Sequence, residues 1–104
     1  MRKADIYVRD LLAGRLEETE TGYRFTYDGS YLQLPEAEPV SLTMPLRGQP
    51  YDSNILHPFF DGLIPEGWLL DVALRNSDIS QLDRMGLLLL CCKDCIGAVS
   101  VRPV

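Results

Sequence analysis

Along the first third of the chain, apolar and polar positions alternate with the period of a β-strand. Ile6 and Val8 interleave with Tyr7 and Arg9, the pattern of a strand with one buried face. Ala13-Gly14 predicts a turn, and Leu16 opens a second run that fades into Glu17, Glu18 and Glu20. Thr21-Gly22 predicts another turn before residues 23–27, where aromatic and polar side chains alternate. These signals together describe a β-meander. Asp28-Gly29 ends the third strand, and residues 30–34 read as one helical turn. After a loop over residues 35–39, Val40, Leu42 and Met44 alternate with Ser41 and Thr43, predicting a fourth strand stopped by Pro45. Residues 47–54 contain Gly48 and Pro50 and read as an exposed loop.

The second half changes period. Pro58 suits the first position of a short helix covering Phe59, Phe60 and Asp61. Pro65 ends that turn and starts a helix reaching about Asn76. Ser80 is an N-cap candidate with Asp83 in the first turn behind it. The helix that follows reaches about Cys92, and because residues 85–92 are apolar on every face it is expected to be the buried central helix. Gly97 breaks it, and residues 98–101 predict a final strand. The expected fold is α+β: residues 1–104 as a single domain, with a small antiparallel sheet packed against about three short helices.

Composition narrows the function classes. Hydrophobic residues make up 46% of the chain and charged residues 24%, a globular balance. Fifteen acidic against ten basic side chains give a net charge of −5, which argues against a free-standing nucleic-acid binder. The apolar run at 85–92 is far short of the ~20 residues a membrane span needs. Arg2 and Lys3 imitate the start of a signal peptide, but Asp5, Arg9 and Asp10 interrupt any apolar segment behind them, so a cytoplasmic location is expected. Cys91, Cys92 and Cys95 include a CxxC spacing, yet no second cysteine pair completes a zinc site, and reduced structural thiols are expected.

No catalytic set is recognisable. Gly62 and Gly67 have the spacing of a phosphate-binding loop, but Trp68 and Leu69 stand where Lys and Ser or Thr would hold phosphate and magnesium. His57 is the only histidine, and a surface or packing role is expected for it. The acidic pairs Glu17-Glu18 and Glu36/Glu38 fall in turns and loops, where solvated charge explains them. No cofactor, metal or enzymatic activity is expected. Projected as a helix, Leu69, Leu70, Ala73 and Leu74 cluster on one side, while Trp68, Asp71 and Arg75 share another row. Trp68 therefore falls on a charged row. Both a core position and an exposed interface anchor are open for it.

The run Phe59-Phe60-Asp61-Gly62-Leu63-Ile64-Pro65-Glu66-Gly67 resembles the FF-(D/E)-x-L-L-P-E-G motif in the N-terminal subdomain of HipA-type serine/threonine kinases. The flanks agree. Residues 40–46 are similar to that subdomain's LSLSLP strand, 94–101 to its closing D-x-x-GA-(V/L)-S-(V/I) strand, and the opening residues to its first hairpin. The kinase parts are missing: there is no glycine-rich phosphate loop, and Phe60-Asp61-Gly62 and His57-Pro58 do not supply the catalytic motifs. The resemblance is to that subdomain alone, as in tripartite HipBST toxin–antitoxin systems, where HipS-type antitoxins match the part missing from the shortened kinase HipT. It implies an antitoxin that binds a HipT-like kinase as a separate chain, in a ternary complex with a HipB-like DNA-binding protein. Trp68 is the expected anchor, followed by Phe59, Phe60 and Leu63, with Glu66, Asp71 and Arg75 as a polar rim. Contact is expected near the ATP lobe, with Trp68 wedging the active cleft. The alternative is a non-inhibitory scaffold that completes the kinase fold. Many kinase relatives have a polar residue after Pro-Glu-Gly, where this chain has Trp68-Leu69-Leu70.

Overall fold

In the computed structural model, residues 2–64, 84–91 and 99–104 are described. β1 (Lys3–Val8), β2 (Leu11–Glu18) and β3 (Tyr23–Tyr27) form the expected antiparallel meander. α1 (Gly29–Leu32), β4 (Tyr51–Ser53), α2 (Pro58–Asp61), α3 (Arg84–Cys91) and β5 (Val99–Pro103) follow. The strands make a five-stranded sheet in the order β4-β3-β2-β1-β5, with neighbours antiparallel. The fold is α+β, as expected.

The first turn lies earlier than Ala13-Gly14. Arg9 and Asp10 make it, with left-handed φ values of 50° and 68°, a conformation that matches hairpin twist but suits Asp better than Arg. β2 runs straight through Ala13-Gly14 as a bulge: Ile6 pairs with Gly14 and Tyr7 with Leu12, leaving Ala13 as the extra residue. Glycine at 14 answers a close approach, because a Cβ there would stand 2.3 Å from the Thr26 carbonyl oxygen. The small pair signals strand contact, not reversal. The Thr21-Gly22 turn is where it was expected, with the Thr19 N–H donating to the Gly22 carbonyl at 2.8 Å.

Residues 40–44 are not a strand of the sheet. The alternation survives in part, since Val40 and Met44 are buried, but Leu42 is 97% exposed. The Met44 N–H bonds the Ser41 carbonyl at 3.1 Å and the Thr43 N–H bonds Ser41 Oγ at 3.2 Å, closing a tight turn with Leu42 at its apex. The fourth strand is instead Tyr51–Ser53, inside the stretch expected to be loop; Tyr51 pairs with Phe25 and Ser53 with Tyr23. Tyrosine hydroxyls tie residues 33–50 to this frame. Tyr27 accepts from the Val40 N–H at 3.0 Å and donates to the Met44 carbonyl. Tyr31 donates to the Glu38 carbonyl at 2.6 Å and accepts from its N–H at 2.9 Å, and Tyr51 donates to the Pro45 carbonyl. Burial raises the Tyr27 phenol above its ordinary range, while the Val40 N–H pulls it partly back.

The sheet's two faces differ in chemistry. The inner face carries Ala4, Ile6, Leu16, Phe25 and Val101 with no exposure, packed with Tyr31 of α1, Phe60 of α2 and Met85, Leu87 and Leu88 of α3. Consecutive buried residues in α3 cover every face of the helix, which makes it the buried helix its apolar run predicts. Across the outer face, opposite charges meet strand to strand: Arg24–Asp52 at 2.6 Å, Lys3–Glu17 at 3.8 Å and Arg15–Asp5 at 3.1 Å. Arg102 lies over the Tyr7 ring at 4.2 Å. Among the described residues, no helix is long and apolar enough to cross a membrane.

Candidate protein-interaction site

α2 is a single turn, and its sequence explains why it starts where it does. Pro58 occupies the first helical position, and His57 before it is extended at φ −51° and ψ 133°, as a residue preceding proline prefers to be. His57 provides no side-chain cap. Its ring reaches back to the sheet instead, with Nε2 2.8 Å from the Tyr51 carbonyl oxygen. A carbonyl can only accept, so Nε2 carries the proton and Nδ1 is the bare nitrogen. Nδ1 is buried without a hydrogen-bond partner. Burial holds the imidazole below its ordinary pKa, opposed by the Tyr51 bond and the nearby Asp52 charge. This is a packing histidine, edge-on to Phe60 at 5.8 Å.

Helical spacing then sorts the motif. Phe60 and Ile64 share one row and are buried, at 0% and 4% exposure. Phe59 and Leu63 share the adjacent row and are half-buried against the core. Backbone bonds carry the turn onward, from the Gly62 N–H to the Pro58 carbonyl at 2.9 Å and the Leu63 N–H to the Phe60 carbonyl at 3.0 Å. At the far end of α2, Asp61 Oδ1 meets Arg84 Nε at 2.6 Å, linking α2 to the first residue of α3.

The structure corrects one expected contact residue. Phe60 has no exposure and packs against Phe25 at 5.3 Å and Phe59 at 5.2 Å, so it acts as the buried support of the surface and not as part of it. Phe59 and Leu63 are both partly buried against the core and partly open to solvent. Trp68, Glu66, Asp71 and Arg75 lie outside the described residues, as do Cys92 and Cys95. Sequence reasoning missed the Asp61–Arg84 pair, whose members are 23 residues apart with no shared periodicity. It also missed the tie from His57 to β4, because residues 51–53 read as loop.

The sequence pattern of the HipA N-terminal domain family matches residues 4–102. An uncharacterised protein of Haemophilus influenzae is 29% identical over 102 residues, which cover 98% of this chain and 92% of that protein. A Sinorhizobium fredii protein named "Putative kinase Y4mE" is 31% identical over 86 residues, 76% of this chain but only 19% of that protein. Among solved structures, an N-terminal domain of HipA toxin superposes with a TM-score of 0.77 at 27% identity, covering 100% of this chain and 93% of that one. The matched residues take in the Phe59–Phe60 turn and all but the end residues of the meander and the closing strand, and the chain belongs to the HipA N-terminal domain family.

Proposed function

We propose that this chain is an antitoxin of the HipS type, which binds a HipT-like serine/threonine kinase in the cytoplasm and neutralises it by direct contact near the ATP lobe and active cleft. The observation that carries the reading is the match to the HipA N-terminal domain family over residues 4–102. The Haemophilus relative supports it, because 92% of that protein's length is accounted for by this one domain. Phe59 and Leu63 offer apolar contact on a turn fixed from beneath by Phe60, and Trp68 follows as the aromatic anchor. A standard interface hides ~800 Å² per partner, a modest share of the 6456 Å² accessible here. Inhibition needs no chemistry from this chain, since a kinase must close its lobes around nucleotide and magnesium before transfer. A HipB-like DNA-binding protein completes the proposed ternary complex.

The test mixes the purified chain with a HipA-family kinase lacking this domain and follows phosphotransfer and complex formation. Phosphotransfer falls with the native chain, and Trp68→Ala weakens binding by about 2 kcal/mol or more, the scale of an interface hot spot. Retained binding and inhibition in a folded Trp68→Ala variant refutes the wedge. The match to a segment of the Sinorhizobium protein favours a second reading, a lobe that completes the kinase. The sign decides between them: a completing lobe raises or preserves phosphotransfer.

A further inference from the structure

Helix nucleation orders several residues for little hydrogen bonding, so a single turn such as α2 takes its orientation from tertiary contacts. The buried row of Phe60 and Ile64 attaches it to the core, and Phe59 and Leu63 on the adjacent row pack partly against the same core. These apolar contacts are non-directional, and the His57–Tyr51 bond acts at the other end of the turn. The roll of the turn about its axis, which decides how far Phe59 and Leu63 stand out from the core, is therefore best fixed by a directional contact at the Asp61 end. Asp61 supplies one, held at 2.6 Å by the guanidinium of Arg84. Arg84 suits the task because it lies on α3, whose Met85, Leu87 and Leu88 are fully buried and anchor the helix. Arginine also presents its N–H groups in a rigid planar fork, which makes the contact directional as well as attractive.

We infer that the Asp61–Arg84 ion pair is a positioning device for the partner-facing surface, setting the roll of α2 so that Phe59 and Leu63 are presented together. The inference rests on the proposed partner binding for its functional half; its structural half stands on this chain alone. The two side chains are 37% and 41% exposed, and pairs this open to solvent contribute little to overall stability. Loss of the pair should therefore change presentation far more than folding.

The test compares the native chain with Asp61→Asn, Arg84→Gln and the charge-swapped double variant Asp61→Arg/Arg84→Asp. Amide hydrogen exchange reads the turn directly at Asp61, Gly62 and Leu63, whose N–H groups bond the carbonyls of His57, Pro58 and Phe60. Exchange there should rise about tenfold in each single variant, with β2 and β3 unchanged, and fall back in the swap. Affinity for a HipA-family kinase lacking this domain should drop about tenfold in the singles and recover to within about threefold in the swap. Unchanged exchange in the singles overturns the inference, as does lost affinity without faster exchange, which would make the pair a direct contact. Failure of the swap to restore both readouts overturns it as well. A native chain that ignores the kinase defeats the proposed function and the functional half with it, while exchange still decides whether the pair fixes the turn.

Discussion

Residues 33–50 and the α2 turn both have too little regular structure to hold their own shape, and they are held in opposite ways. The long segment is pinned by hydroxyl groups, Tyr27 from the buried interior, Tyr31 from a part-buried position and Tyr51 at the surface, each taking up backbone groups of the segment. The α2 turn is held by an apolar plug, Phe60, and by a half-exposed ion pair at its end. Buried hydroxyl bonds are costly to remove because each leaves a backbone group stranded. An exposed pair can be removed cheaply. The contrast separates a segment built for permanence from one whose orientation can be tuned without loss of the fold.

The largest expected effect comes from the plug. Phe60→Ala should destabilise the chain by about 3–5 kcal/mol, read as a drop in the urea midpoint, because it empties a site with no solvent access. A small loss would mean the turn does not depend on its core row. Next comes the pinned segment, where Tyr27→Phe strands the Val40 N–H and the Met44 carbonyl. About 2–4 kcal/mol is expected, and a near-neutral result would show that the hydroxyl bonds are not what holds residues 33–50.

A pH series sharpens the comparison further. The folded pKa of His57 lies below the ordinary 6.5 because burial disfavours the charged ring. The unfolded chain therefore binds the proton more readily. Stability from the neutral ring is fully present above about pH 6.5 and is lost as pH falls from there through the folded value. The denaturation midpoint should fall over that window, and His57→Gln, which keeps a donor for Tyr51 but cannot titrate, should flatten the fall. Equal slopes in both proteins would clear His57 of the effect. The smallest effect belongs to the apex of the pinned segment: Leu42, 97% exposed, should tolerate Leu42→Ser within about 0.5 kcal/mol by thermal melting.

The misreadings share a physical origin. Ala13-Gly14 carries the composition of a turn, but the missing side chain of Gly14 answers the approach of Thr26 from β3, a contact between residues distant in sequence. The alternation at residues 40–44 marks Val40 and Met44 as buried but fails at Leu42, and it cannot say whether backbone groups find a strand or a tyrosine hydroxyl. The motif at residues 59–67 could not separate its two phenylalanines, since Phe59 and Phe60 are identical in type. Only the direction of the core distinguishes Phe60 from its neighbour.

What local order alone determined here is considerable: the meander, the proline-started turn at residue 58, the buried helix and the family motif are all legible without coordinates. Each depends on neighbours within a few positions, through side-chain period or a fixed φ. Tertiary structure alone decided the bulge, the identity of β4, the hydroxyl pins, and the pairing of Asp61 with Arg84. Those features depend on groups that meet only after the chain has folded back on itself, and no local pattern encodes a distance across the core.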